Sequence, residues 1–146
     1  MVKNKSPLRY PGGKTRACKK LDKVLCNNNI DITMCSIIVS PFFGGGSFEF
    51  YLQHKYNKQI EANDKFTPLY NFWNQVKTNK DNLCKEITKL HPVSKEQFYQ
   101  YRQRISNTDN TDNILLQAAY YFAINRCSFS GATLSGGYSK SAAKDR

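Results

Sequence analysis

The sequence has no apolar run approaching the roughly 20 residues that a membrane-spanning helix needs. Its opening Met1-Val2-Lys3-Asn4-Lys5-Ser6 leads into no apolar signal-peptide core. A membrane protein and a secreted product are therefore not expected, and the chain reads as intracellular, in the cytoplasm or, for a viral source, the host cell interior. The 5 Cys are an odd number and form no Cys-x-x-Cys pair, which argues against a disulfide scaffold and a structural zinc site. The two histidines, His54 and His91, have no partner at metal-ligand spacing, so no metal site is expected. Acid is scarce: 11 Asp and Glu stand against 22 Lys and Arg, a formal charge of +11.

What is present excludes a disordered basic tail, because 40% of the 146 residues are hydrophobic and 13% aromatic. That length favours one domain with a modest core. The charge has two readings. Lysines keep many surfaces solvated, and each Lys or Arg that displaces a counterion also adds affinity for a nucleic-acid backbone. Charge alone does not choose between them.

Along the chain, Met34-Cys35-Ser36-Ile37-Ile38-Val39 reads as a buried strand ended by Ser40-Pro41. Gly44-Gly45-Gly46 follows, then Ser47 as N-cap of a helix whose Phe48, Tyr51 and Leu52 share a face. A second strand is expected at Gln59-Ile60-Glu61-Ala62, ending at Asn63-Asp64, which makes a βαβ unit. The rest reads as helix, with its clearest stripe in Leu115, Ala118, Ala119 and Phe122 of a helix from Ile114 to Asn125. Residues 128–146 are rich in Ser, Gly and Lys and read as a loop. Two strands are few for a parallel sheet, so the expectation is the front part of a larger α/β fold.

Three motifs carry chemistry. Leu8-Arg9-Tyr10-Pro11-Gly12-Gly13-Lys14 reads as a turn ahead of a basic helix, or as a loop presenting Tyr10 and Lys14 to an adenosyl or amino-acid group. A phosphate-binding P-loop fails, because Leu8 stands where its first glycine belongs and no strand precedes it. Pro41-Phe42-Phe43-Gly44-Gly45-Gly46-Ser47 offers a backbone that a ligand can approach closely. Glu49 occupies the third glycine position of a dinucleotide fingerprint and would face the pyrophosphate, which disfavours NAD. Asp64, 20 residues beyond Gly44, stands where an acid reaches ribose hydroxyls; an Asn-Asp turn or N-cap is the alternative. Together they suit a cofactor with an adenosine, a carboxylate and no phosphate, as in S-adenosylmethionine.

These motifs, followed by Asn63-Asp64 and by Tyr121-Phe122-Ala123-Ile124-Asn125-Arg126-Cys127-Ser128-Phe129-Ser130-Gly131, resemble in order and content the DNA adenine N6-methyltransferases of the DNA adenine methylase family. The resemblance spans nearly the whole chain. It implies a partial Rossmann-like S-adenosylmethionine methyltransferase fold, helix-rich with an incomplete sheet, acting on double-stranded DNA. It implies cofactor contacts at Tyr10, Pro11, Gly12, Gly13, Lys14, Phe42, Phe43, Gly44, Gly46 and Asp64. It also places Asn125, Arg126, Ser130 and Lys140 towards DNA. On this reading residues 1–64 form the cofactor-binding part, 65–127 a helical part and 128–146 a tail towards DNA, all within one truncated domain.

The family's catalytic Asp-Pro-Pro-Tyr is absent, for Pro7, Pro11, Pro41, Pro68 and Pro92 include no adjacent pair. No catalytic residue is therefore assigned. A split enzyme completed by a second chain, or a non-catalytic cofactor- or DNA-binding module, is the alternative. Cytosine C5 chemistry is set aside because no Cys follows a Pro. Cys127 beside Arg126 reads as inert packing or as a thiol with a lowered pKa. Lys19, Lys20, Arg102 and Arg104 read as solvated faces, and Asp109 and Asp112 as turn and cap residues.

Overall fold

The computed structural model describes residues 6–107 and 113–144; Asp109 and Asp112 lie outside these. Where length favours one domain, the contacts gather into two compact units, residues 6–7 with 12–64 and residues 8–11 with 65–144. The chain is a helix-rich α/β protein with a small parallel sheet of two strands among the described residues.

In the first unit, α1 (Cys18–Asn27) precedes a short 3-10 turn, Ile32–Met34. Asp31 starts that turn by accepting the Thr33 N–H at 2.8 Å. The turn consumes the front of the apolar run, so β1 covers only Ile37–Ser40 rather than beginning at Met34. From there α2 (Ser47–Tyr56) leads to β2 (Gln59–Ala62), which pairs parallel to β1 with Ile37 opposite Gln59 and Ser40 opposite Ala62. The strand expected to be buried is largely open. Val39 is 64% exposed, because an apolar sequence buries itself only where further strands or helices cover the sheet. Ser47 is not the cap of α2 either. Gly46 is, at φ +66, and a Cβ there would stand 2.5 Å from the Phe43 ring. Glycine is thus required twice over, for conformation and for space.

α1 and α2 are joined by a polar knot. Asp22, the lone acid of a basic helix, is buried. It accepts hydrogen bonds from Lys55, from Tyr51 at 3.0 Å and from Tyr56 at 2.7 Å. Burial alone would raise the Asp22 pKa, but these donors and the Lys55 charge outweigh it and hold the carboxyl below its ordinary value.

The second unit is built around α6 (Ile114–Cys127), packed by α3 (Thr67–Thr78), α4 (Lys80–Leu90) and α5 (Lys95–Ser106). The sequence suggests a one-sided stripe on α6, yet Ala118, Ala119, Tyr120, Tyr121, Ala123 and Ile124 are all buried, so the helix is enclosed on most sides. Leu69, Phe72, Leu83 and Phe98 from the three flanking helices complete the core. α5 starts with a full capping box, Ser94 and Gln97 each satisfying the other's backbone N–H. The tail is more ordered than the loop its composition suggests. It holds a 3-10 turn (Phe129–Gly131), an antiparallel bridge from Ser128 to Tyr138, and α7 (Lys140–Lys144). No helix among the described residues is long and apolar enough to cross a membrane.

Candidate functional site

The loop between β1 and α2 is fixed from three directions. Asp64, two residues beyond the end of β2, accepts the Gly44 N–H on Oδ2 at 2.8 Å. The Phe43 N–H donates to the Asn63 carbonyl at 3.0 Å, and the Gly46 N–H to the Phe43 carbonyl at 2.8 Å. The N-cap alternative for Asp64 falls, since Phe66 is the N-cap of α3. Its carboxylate instead reaches back 20 residues to the glycine loop, at the carboxyl ends of two parallel strands. Open parallel sheets bind ligands at that end.

The first motif meets the same loop. Lys14 and Thr15 lead into α1, and the Thr15 hydroxyl donates to the Ser47 hydroxyl at 3.1 Å. The Cys18 thiol contacts both the Lys14 carbonyl, at 3.1 Å, and the Ser47 carbonyl, at 3.5 Å. Burial is the largest influence on that thiol and pushes its pKa up, with Glu49 adding to the effect, so it remains a protonated donor. The Lys14 ammonium itself donates to the Gly12 carbonyl at 2.7 Å and is exposed. Gly12, Lys14, Phe43, Gly44, Gly46 and Asp64 therefore form one assembly. Gly13 lies within its exposed leading loop, and Phe42, 81% exposed, projects from it.

The assembly disfavours a ligand that carries a phosphate at the start of α2. Glu49 sits in the first turn of α2, where a phosphate would seek the helix dipole. Its carboxylate accepts from the Ser40 hydroxyl at 2.7 Å, which places negative charge at the end of β1. A pyrophosphate would meet like charge there, whereas neutral ribose hydroxyls and a sulfonium would not.

Tyr10 and Pro11 belong to the second unit, where they line a cavity with Phe66, Leu69, Tyr121 and residues 131–135. Asn125 organises that region from inside. Its Oδ1 accepts the Arg9 N–H at 2.9 Å, and its Nδ2 donates to the carbonyls of Arg9 at 2.8 Å and Gly131 at 3.2 Å, and to the Thr133 hydroxyl at 3.1 Å. Asn125 is fully buried. The expectation that it touches DNA is corrected: its side chain is spent on the backbone of residues 9 and 131. Gly131, at φ +76, lies so close beneath Arg9 that a Cβ would stand 1.9 Å from the Arg9 carbonyl oxygen. Arg126 is half-buried and its carbonyl accepts from the Arg9 guanidinium at 3.3 Å. Ser130 and Lys140 are exposed.

Two further readings change. Arg102 is not a solvated charge; it lies 4.6 Å over the Phe98 ring and donates to the Gly136 carbonyl. Cys127 is not activated by a neighbouring arginine, because burial pushes its pKa up more than the Arg9 charge lowers it. Packing is its role. No cluster of metal-ligating side chains occurs among the described residues.

The strand–glycine loop–helix–strand unit that ends on an acid is thus followed by a helical body carrying the Asn-Arg segment. Residues 10–143 match the D12 class of N6 adenine-specific DNA methyltransferases, and the chain belongs to that family. It is similar to the type II methyltransferase M.MjaIII of Methanocaldococcus jannaschii, 26% identical over 137 aligned residues that cover 85% of this chain and 46% of that protein. The chain thus spans less than half the length of the curated relative it matches.

Proposed function

We propose that this chain is the cofactor-holding part of an S-adenosylmethionine-dependent enzyme that methylates N6 of adenine in DNA, built on a partial Rossmann-like fold. Residues 1–64 hold the cofactor, 65–127 form the helical body, and 128–146 face DNA. The observation that carries the reading is the Asp64 carboxylate locked onto Gly44 at the open end of the parallel strands. From that position it accepts from the ribose hydroxyls, while Gly44 and Gly46 let the backbone approach and Lys14 exchanges its Gly12 contact for the cofactor carboxylate. Gly12, Gly13, Phe42 and Phe43 complete the contacts within the first unit.

The bound cofactor supplies an activated methyl group. Held by Asp64, Gly44, Gly46 and Lys14, it would supply that methyl group for transfer to an adenine amino nitrogen. The protein's task is to place the nitrogen in line and keep water out. These 146 residues hold no Asp-Pro-Pro-Tyr to grip the amino group. A second reading is half of a split enzyme, in which a second polypeptide supplies that motif.

Calorimetric titration with S-adenosylmethionine tests the reading. Asp64→Ala should weaken binding at least about tenfold, the loss of charge-assisted hydrogen bonds to two hydroxyls, and Asp64→Asn should weaken it less because the Gly44 partner survives. Equal affinity in all three proteins would refute the site. Methyl transfer to duplex DNA by the purified chain alone would refute the split reading.

A further inference from the structure

A row of exposed positive charge with no part in the cofactor assembly lies along α1, in the first unit. Arg16, in the turn that leads into the helix, and Lys19, Lys20 and Lys23 within it recur at steps of three and four residues, which sets them on one side. All four are exposed. The opposite side is packed, with Cys18 and Asp22 buried. Asp22 is the lone acid of the helix, and its carboxylate is spent on Lys55, Tyr51 and Tyr56. Among the described residues none of the four cations forms an ion pair.

This row costs the helix stability. Like charges three and four residues apart repel. Lys19 and Lys20 also stand in the first turn, where the helix dipole disfavours cations, with no acid beside them in that turn. A face that only kept the chain dissolved would not need that cost, and α4 shows the alternative. There Lys80, Asp81, Lys85, Glu86 and Lys89 alternate in sign, and Lys89 bonds to Glu86 at 2.7 Å. The α1 row finds its compensation in an anion outside the chain.

We infer that Arg16, Lys19, Lys20 and Lys23 form a contact surface for the phosphate backbone of duplex DNA. The inference rests on the DNA-methyltransferase reading and adds to it a surface on the cofactor unit, since that reading turns only residues 128–146 towards DNA. Charge complementarity names the partner, because a row of cations along one helix face suits a regular line of phosphates. A lipid surface fits worse. A helix that lies on a membrane inserts an apolar side, and the side of α1 opposite its cations is packed on α2. The row is also tied to the end of the glycine loop: Thr15 and Cys18, on either side of Arg16, both bond to Ser47. A backbone held along α1 is therefore held beside the proposed cofactor site, within one unit.

The test is fluorescence anisotropy of a short labelled duplex titrated with the full chain at several salt concentrations. Its sequence is arbitrary, since phosphate contacts carry no sequence information. Lys19→Gln combined with Lys23→Gln should weaken binding at least about tenfold in about 0.1 M salt. The slope of log affinity against log salt should fall in magnitude by about 1.8, from two phosphate contacts at about 0.9 each. Lys80→Gln with Lys85→Gln removes the same charge from exposed positions of α4 and should leave that slope unchanged. Lys19→Arg with Lys23→Arg should bind as the wild type does. The α1 Gln pair should melt no lower than wild type, because it relieves repulsion, and should bind S-adenosylmethionine equally well. An undiminished slope in the α1 pair overturns the inference. Equal losses in the α1 and α4 pairs also overturn it, by assigning the effect to net charge alone. Absence of duplex binding by the wild-type chain does the same, whether or not phosphatidylserine vesicles bind through these lysines. Failure of the cofactor reading is read separately: the wild-type chain would then bind no S-adenosylmethionine while the α1 pair still lowered the salt slope.

Discussion

In residues 65–144 the 14-residue helix α6 disappears beneath its neighbours, with Ala118, Ala119 and Ile124 wholly buried. In residues 12–64 the sheet leaves Val39 64% and Phe42 81% exposed, and α2 buries only Leu52. The helical unit is held by apolar area, which is non-directional and scales with what is covered. The strand unit is held by directed bonds: the Asp22 knot, the Asp64 contact with Gly44, and the Thr15 contact with Ser47. The difference separates structural load from ligand geometry. The few polar atoms at the strand ends are placed by hydrogen bonds rather than by a deep core.

Truncating one buried side chain in each unit should break the comparison if it is wrong. Phe98→Ala removes a side chain with no exposed surface and also strips the stacking partner of Arg102. It should cost about 3–5 kcal/mol. Leu52→Ala, in the thinner unit, should cost about 2 kcal/mol, near the bottom of the range for such changes. Urea unfolding of both variants, with hydrogen exchange read by peptide, measures each loss. A larger cost at Leu52 would show that the strand unit has its own apolar core after all.

Asn125→Ala falls between those two in size. It leaves the Arg9 N–H and carbonyl and the Gly131 carbonyl without their amide partner in a buried setting. Stranded buried polar groups cost about 1–3 kcal/mol each, and partial rehydration limits the sum, so a loss of about 3 kcal/mol is expected. Thermal melting checks the figure. A loss below about 1 kcal/mol would mean the Arg9 backbone finds other partners and the amide clamp is not what sets the cavity walls.

The sequence shows the parts that depend on local pattern. Gln59–Ala62, the strand–glycine–helix order, and the helix beginning at Ile114 are all legible from alternation, glycine placement and 3.6-residue spacing. Asp64 is legible by its distance from Gly44. The environment of β1 is not, because Ile37-Ile38-Val39 reads the same whether or not other strands cover it. The inward turn of Asn125 is equally hidden. A polar residue at the end of an apolar helix signals either a surface contact or an internal clamp, and only the position of Arg9, more than a hundred residues earlier, decides between them. Asp22 did leave a trace, as the lone carboxylate in Cys18–Asn27, but its three donors all lie on α2, beyond the reach of a local pattern.

The smallest expected effect is the most diagnostic of how the strand unit is held. The Asp22 carboxyl is depressed in the folded chain, so its contribution is complete above the unfolded value, about 3.9. It is lost as the pH falls through the lower folded value. Lys55 stays protonated throughout this window, so the loss belongs to the carboxylate. Hydrogen exchange of α1 and α2 should therefore accelerate as the pH falls below about 4, beyond the intrinsic change in exchange chemistry. In Asp22→Asn the knot is weakened at neutral pH and the extra acid step disappears. If wild type and variant show the same acid dependence, the carboxylate is not what ties the two helices, and apolar contacts such as those of Leu52 must carry that junction instead.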